Sequence, residues 1–163
     1  MSGYITGKAV LCYGTDILVS SGMQLEKGFL QHGAVTVFRH SVAVACLCLT
    51  LAAVLHLQLD RRALVRGALL HDYFLYDWHC RDRSHRLHGL YHAGKALRNA
   101  ERDFALGDVE RDIIGRHMFP LNPIPPRYAE SAVVCLADKI CAVCETLSIP
   151  CCAGAVAQVL AAV

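Results

Sequence analysis

Histidine and aspartate residues that could bind a metal ion stand at several points where this sequence is otherwise apolar. The pair His71-Asp72 ends the apolar run at residues 68–70, and Asp138 interrupts an apolar stretch that begins with AVVCLA at residues 132–137. Burying a carboxylate among alanine and valine side chains is costly unless it is paired or bound to a metal. The other candidates are histidines on or beside predicted helices: His40, His88, His92 and His117.

The types and spacing of these side chains indicate the kind of ion they would bind. Neighbours on a helix point about 100° apart, so His71 and Asp72 reach one small object only if it lies between them. His88 and His92 are four residues apart and share a helix face. Neutral imidazole and carboxylate suit divalent transition metals such as iron, manganese, zinc or cobalt. One histidine on an apolar face is more often a hydrogen-bonded core residue, but the ordered set predicts a shared metal site.

Helices must position these side chains, because helical signals dominate the chain. Asp60 is a predicted N-cap, and Gly107-Asp108 is a predicted helix start. The polar segment at residues 80–87 and the proline-broken segment FPLNPIPP at residues 119–126 are predicted loops. No convincing strand or hairpin pattern is present, so the predicted class is all-α. The predicted helices cover residues 41–57, 61–71, 88–99, 109–116 and 130–147.

The bulk composition is that of one compact domain. The chain has 163 residues, of which 55% are hydrophobic and 18% are charged, which suffices for a real core. A net charge of +2 without a run of lysine or arginine gives no indication of a nucleic acid polymer as partner. The start MSGYITGKAV lacks the pattern of a secretory signal, and the nine cysteines have apolar neighbours. These features predict free thiols and a cytoplasmic location.

Three features remain open at the level of sequence. The stretch at residues 41–59 is long and apolar enough to span a bilayer, but a buried central helix has the same composition and is favoured because polar residues interrupt it. Cys141-x-x-Cys144 followed by Cys151-Cys152 allows a zinc site, although buried structural cysteines are favoured. The apolar tail at residues 151–163 is either a final packing helix or a partner-binding helix.

The ordered blocks of this sequence resemble a known superfamily. They are FRHS with His40, LLHD with His71 and Asp72, HGLYH with His88 and His92, GRHMFP with His117, and LADK with Asp138 and Lys139. Together they resemble the HD-domain superfamily of metal-dependent phosphohydrolases, in particular its small single-domain bacterial members. The resemblance implies an all-α bundle of about six to eight helices with the metal site in its core. It also implies one HD domain over residues 1–163, with a core at about 31–147 between terminal packing segments.

The resemblance assigns roles residue by residue. It implies that one divalent ion is held by His40, His71, Asp72 and Asp138. A second ion would be held by His92 and His117, with Asp72 bridging the two ions. His88 would be a further ligand or a hydrogen-bond partner of one. The expected cofactor is therefore one or two divalent ions of iron, manganese, cobalt, zinc or magnesium.

The expected activity is hydrolysis of a small phosphoester or nucleotide by metal-activated water. Asp72 would orient that water, and Lys139, His32 and Arg116 are the expected substrate contacts; Arg39 and Arg66 are further candidates. Two positions depart from the superfamily pattern. Leu75 stands where some members carry a catalytic lysine or glutamate, and Ala93 stands where proline is usual, so the detailed mechanism cannot be copied across.

Two other functions fit the same residues. Some HD-like proteins use two irons to activate oxygen, and this fold-level analogy gives a di-iron oxygenase as one alternative. The other is a non-catalytic, metal-stabilised module that senses a ligand. The expected partner is a small phosphorylated substrate or nucleotide, with no nucleic acid polymer and no membrane. The apolar tail is compatible with a homodimer.

Overall fold

The computed structural model describes residues 3–79 and 88–163, and side chains from residue 5 to 79 and from 89 onwards. Within these ranges the chain is built from helices, so the predicted all-α class is confirmed. A single-turn 3-10 helix (Glu26–Gly28) and two short strands, β1 (Leu30–His32) and β2 (Val35–Thr36), complete the structure. The helices are α1 (Gly3–Leu18), α2 (Ser21–Leu25), α3 (Val37–Val54), α4 (Arg61–Leu70), α5 (His88–Asp103), α6 (Asp108–Arg116), α7 (Ala129–Thr146) and α8 (Ala153–Leu160).

The β1–β2 hairpin corrects the prediction that the chain has no hairpin. The strands pair antiparallel, with Leu30 opposite Thr36, and the turn contains Gly33 at φ +57°. Glycine adopts this left-handed conformation without the steric cost that a Cβ would bring. Strands of three and two residues are too short to show an alternating pattern in the sequence. The hairpin lies directly before α3 and therefore brings Gln31 and His32 beside it.

Helix α3 begins four residues earlier than the predicted start at residue 41. Its N-cap is Thr36, whose Oγ1 accepts a hydrogen bond from the backbone N–H of Arg39 at 3.3 Å. His40 therefore lies inside the first turns of the helix. The helix is long and apolar enough to cross a membrane, but 67% of it is buried inside the bundle. That burial supports the interpretation of α3 as the central helix of the core.

The remaining helices pack around α3, which contacts α1, α4, α7 and α8. Asp60 caps α4 as predicted, because its Oδ1 accepts from the Ala63 N–H at 3.0 Å. The tail forms α8, which packs on α1 and α3 through Ala155, Val156 and Val159. It is therefore a packing helix in this chain. The other predicted helices agree with the observed ones to within a few residues, and the predicted loop at 80–87 lies outside the described residues.

Helices α4 and α6 approach each other closely at Gly67. A Cβ added to Gly67 would lie 2.5 Å from Cδ1 of Ile113, so only glycine fits this crossing without displacing α6. The two helices end side by side, and their C-caps are His71 and His117. The ring centroids of these two histidines are 4.9 Å apart. The packing of α4 on α6 thus brings two of the predicted ligands together.

Candidate metal centre

The predicted ligands converge in the core of the bundle. His40 comes from α3, His92 from α5 and Asp138 from α7, while His71 with Asp72 and His117 follow the ends of α4 and α6. All are buried, and none has more than 9% of its surface exposed. Charged or polar groups are rarely so deeply buried without partners. The polar atoms of these six side chains must therefore find hydrogen-bond partners, or a bound ion, within the site.

Backbone carbonyls set the protonation of two of these histidines. Nδ1 of His71 lies 2.7 Å from the carbonyl oxygen of Ala68, and Nδ1 of His117 lies 2.9 Å from that of Ile114. A carbonyl oxygen only accepts, so each Nδ1 carries the hydrogen and donates it. In the neutral ring, Nε2 then carries a lone pair. Both rings consequently turn a metal-binding nitrogen towards the centre.

The Nε2 atom of His71 has no hydrogen-bond partner in the part of the chain that the structure describes. It lies 3.4 Å from Oδ2 of Asp72 and 3.7 Å from Oδ1 of Asp138. A lone pair that faces two carboxylate oxygens is repelled by them unless a cation lies between. A buried, unpaired polar atom of this kind is costly. A divalent ion would satisfy the nitrogen and both carboxylates at once.

The ring of His40 is oriented by a carboxylate, that of Glu145, which the sequence analysis did not identify. Its Nδ1 donates to Oε2 of Glu145 at 2.9 Å, and its Nε2 lies 3.2 Å from Oδ1 of Asp138. Metal-binding histidines commonly donate their other N–H to a carboxylate, which orients the ring. Glu145 lies two helical turns after Asp138 on α7 and therefore on the same face. The seven-residue spacing between Asp138 and Glu145 is the sequence signal that could have identified Glu145 as part of the site.

The carboxylate of Asp72 lies between two histidine pairs. Its Oδ2 is 3.4 Å from Nε2 of His71 and 3.9 Å from Nε2 of His40. Its Oδ1 is 3.2 Å from Nε2 of His92 and 3.5 Å from Nε2 of His117. The side-chain amide of Gln31 donates to Oδ2 at 2.5 Å. Gln31, to which the sequence analysis assigned no role, therefore fixes the orientation of this carboxylate.

The second histidine pair is closely spaced. Nε2 of His92 lies 2.9 Å from Nε2 of His117, although two nitrogen lone pairs repel at that distance. Since Nε2 of His117 is an acceptor, the metal-free pair requires a proton on Nε2 of His92. Loss of that proton leaves two lone pairs directed at one point beside Oδ1 of Asp72. This is a second group of nitrogen and oxygen donors.

The pKa values reflect the same competition between burial and neighbours. Burial alone would lower the pKa of His40, but hydrogen bonds to Asp138 and Glu145 outweigh it and raise the value to about 10. Burial would raise the pKa of Asp72, but the three imidazoles around its carboxylate, those of His71, His92 and His117, hold it well below its usual range. Burial lowers the pKa of His117. The carboxylates are thus ionised, as metal binding requires.

The donor atoms fit a transition metal. Three groups each place three ligand atoms within 4.8 Å of one another: His40 with His71 and Asp72, Asp72 with His92 and His117, and His32 with His40 and Glu145. The first two groups share Asp72. Imidazole nitrogen with carboxylate oxygen is the donor set expected for iron, manganese, cobalt or zinc. The residues present therefore fit the group that the sequence predicts.

A cavity of about 670 Å³ opens onto this centre. Four of the predicted ligands reach its wall: Asp72, His92, His117 and Asp138. A volume of this size accommodates a small organic substrate. The other lining residues combine a few polar groups with an apolar wall: Gln31, His32, Trp78, Gly89, Met118, Lys139 and Ala142.

Of the expected substrate contacts, His32 and Lys139 line the cavity. Lys139 lines the cavity, but its ammonium donates to the carbonyl oxygens of His117 at 3.1 Å and Cys135 at 3.2 Å, and to Sγ of Cys135 at 3.2 Å. These contacts use all three of its N–H groups. Arg116 binds Asp112 through Nε at 2.9 Å and lies outside the cavity. In the structure Lys139 and Arg116 thus bind partners within the fold, and their role as substrate contacts stays a prediction.

Several other sequence interpretations can be compared with the structure. Arg66 forms a buried ion pair with Glu110 and does not line the cavity. The side chain of His88 lies outside the described part of the chain. Among the described residues, no group of three cysteines is placed to hold a metal. Of the four cysteines, Cys141 is buried as expected, whereas Cys144, Cys151 and Cys152 are partly exposed, and all four are free thiols.

Comparisons with known proteins give the family. A model of the HD domain family matches residues 37–143, which include every ligand from His40 to Asp138. No match was found among curated proteins, and none among solved structures. HD domains bind divalent metals, and this chain buries histidine and aspartate groups that could hold one. The chain therefore belongs to the HD-domain superfamily of metal-dependent phosphohydrolases.

Proposed function

We propose that this protein hydrolyses a small phosphoester or nucleotide and uses two divalent ions to do so. The observation that supports the proposal is the position of Asp72, whose two oxygens face separate histidine pairs. A carboxylate placed in this way can bridge two ions. Two-metal sites of this kind are typical of phosphatases and nucleases.

The two ions would be held by different helices. His40, His71 and Asp138 would complete one site with Asp72, and His92 and His117 would complete the other. When bound, divalent ions lower the pKa of water and stabilise the charge on a phosphoryl group. Protein side chains supply the remaining requirements, which are a fixed ligand geometry, a proton acceptor and a shaped cavity.

Gln31 and Asp72 would orient the attacking water. The amide of Gln31 holds Oδ2 of Asp72, so the carboxylate cannot rotate freely, and Oδ1 faces the cavity side of His92 and His117. His32 lies half-buried in the cavity wall, and burial together with the charge of His40 lowers its pKa. A neutral imidazole at this place carries one N–H, which can be donated to a substrate oxygen.

Metal content and hydrolysis, measured together, test the proposal. The untagged protein, purified without chelator under nitrogen, should contain about two transition-metal ions per chain. It should hydrolyse p-nitrophenyl phosphate or bis(p-nitrophenyl) phosphate, and Asp72→Asn should lose both metal and activity. Asp108→Asn serves as the control, because the side chain of Asp108 is 85% exposed and does not line this cavity.

The outcomes separate the alternatives. Hydrolysis supported by manganese, cobalt, zinc or magnesium agrees with the proposal. Iron with substrate-dependent oxygen consumption and no hydrolysis would instead favour the oxygenase. No metal in the wild type, even after reconstitution, would mean that the buried histidines are structural and that the proposal is wrong.

A further inference from the structure

A second cavity lies on the opposite side of the two helices that carry His92 and His117. It is a groove of about 870 Å³ between the outer faces of α5 and α6 and the proline-broken segment that follows α6. Among the described residues, the groove shares no lining residue with the metal cavity. Its side chains are therefore not accounted for by the function proposed above.

Two glycines leave the floor of this groove open. Gly94 on α5 and Gly115 on α6 both line it. A Cβ on Gly94 would lie 3.6 Å from Nη1 of Arg98, which shows that the guanidinium of Arg98 lies back over Gly94. The two glycines thus add no side chain to the groove, and the guanidinium of Arg98 lies against its floor.

The groove carries more positive charge than its acidic residues neutralise. Five of its lining residues are basic: Lys95, Arg98, Arg111, Arg116 and Arg127. Two are acidic, and these pair with two of the cations: Asp108 with Arg111, and Asp112 with Arg116.

Three cations are left over. Within residues 3–79 and 88–163, Lys95, Arg98 and Arg127 make no ion pair with a carboxylate; Lys95 lies over the ring of Tyr76. The net charge of the whole chain is only +2, so this groove is a concentrated positive site. Guanidinium groups bind phosphate oxygens in a bidentate manner. Arg98 lies on α5 and Arg127 lies in the segment after α6, and both line the groove.

Aromatic side chains occur beside these cations. Tyr91 on α5 is 60% exposed. Tyr128 lines the groove and is half-buried, with the guanidinium of Arg127 5.8 Å from its ring centroid. Ile124 is also largely exposed at the rim. Aromatic rings next to arginine are suited to stacking with a planar base, whose phosphate the arginine then holds. Neither a simple phosphate nor an apolar peptide would use both features.

We propose that this groove binds a mononucleotide, with its phosphate on Arg98 and Arg127 and its base against Tyr91 and Tyr128. The volume is within the range of small-molecule sites. The site is distinct from the metal centre, so its occupation does not depend on the proposed hydrolytic activity.

Fluorescence titration with mant-ADP and mant-GDP tests the proposal. The titration is done on wild-type protein in excess EDTA and on Asp72→Asn, so that metal-dependent binding in the other cavity is removed. Binding should persist in both. In Arg98→Gln/Arg127→Gln it should weaken at least tenfold, while Arg62→Gln, an exposed arginine on α4, should leave it unchanged. Thermal unfolding of each variant checks that it is folded.

Competition identifies the part of the ligand that is recognised. Unlabelled nucleotide should displace the probe at least tenfold better than ribose 5-phosphate or inorganic phosphate, because these lack the base. Equal displacement by ribose 5-phosphate would overturn the assignment to a nucleotide. Binding that vanishes with EDTA, or that ignores the double arginine variant, would place the probe in the metal cavity and overturn the groove as a site.

Discussion

Nδ1 of His40 donates a hydrogen bond to Oε2 of Glu145 at 2.9 Å, and both side chains are buried. The contact joins the start of α3 to the end of α7. It leaves Nε2 of His40 directed at Asp138 and Asp72. Glu145 is therefore the residue that orients the first ligand of the proposed centre.

We expect Glu145→Gln to weaken metal binding by about 10- to 100-fold, the usual effect of changing a residue that hydrogen-bonds a histidine ligand. The amide keeps the size of the side chain but loses the negative charge that raises the basicity of His40. Competition with a chelating dye measures the affinity. Glu130→Gln on the same helix controls for charge, and equal affinities for the two variants would contradict a role for Glu145.

His92→Ala should separate the two proposed metal sites. The variant lacks one nitrogen facing Oδ1 of Asp72, whereas the donors around Oδ2 are unchanged. We expect about one ion per chain in this variant and none in Asp72→Asn. Elemental analysis after gel filtration gives both numbers. Retention of two ions in His92→Ala would remove this histidine from the ligand set.

The stability of the metal-free protein should depend on pH through His40. Its pKa is raised from 6.5 to about 10 in the fold, so the protonated ring contributes stability that is fully present below pH 6.5 and is lost as the pH rises through about 10. Denaturation in EDTA should therefore show a free energy of unfolding that decreases with increasing pH above 6.5. Metal affinity should increase over the same range, because binding displaces that proton.

The variant His40→Gln tests the assignment of this slope. In His40→Gln, the decrease of the unfolding free energy above pH 6.5 should disappear. In His56→Gln, which changes an exposed histidine, the decrease should be the same as in the wild type. Measurements between pH 6.5 and 8 limit the contribution of cysteine thiols, whose ordinary pKa is about 8.5. An unchanged slope in His40→Gln would show that another group titrates.

Arg66→Ala should destabilise the fold without a specific effect on phosphate binding. Its Nε donates to Oε1 of Glu110 at 2.9 Å, and both side chains are almost fully buried. Removal of one partner from a buried pair costs about 3–5 kcal/mol, because the other charge is left uncompensated. Urea denaturation measures this loss, with exposed Arg62→Ala as the control. A change in KM with unaltered stability would instead support a substrate contact.

Lys139→Met should act in a similar way. The ammonium donates to the carbonyl oxygen of His117 at 3.1 Å and to two acceptors on Cys135, and the substitution removes these three hydrogen bonds. A loss of about 1–3 kcal/mol in unfolding free energy is expected. Steady-state kinetics on the folded variant should show a KM close to that of the wild type. A large rise in KM would restore Lys139 as a phosphate contact.

Much of this protein is determined by its sequence alone. The helical signals predicted the all-α class, and the ordered sequence blocks gave the resemblance to the HD-domain superfamily. A buried metal site was predicted because a carboxylate such as Asp138 inside an apolar run is costly without a partner. Helix caps such as Asp60 were also readable, because capping is a local interaction between residues three apart.

Tertiary packing decided the rest. Glu145 reaches His40, and Gln31 reaches Asp72, across large separations in sequence that no local pattern encodes. In the same way, Lys139 donates to the carbonyl oxygen of His117, and Arg66 forms an ion pair with Glu110. Two cations that were candidate phosphate contacts in the sequence therefore bind partners within the fold. The sequence shows where a charged side chain is, but not its partner. The partner depends on which acceptors the packing of the helices brings within hydrogen-bonding distance.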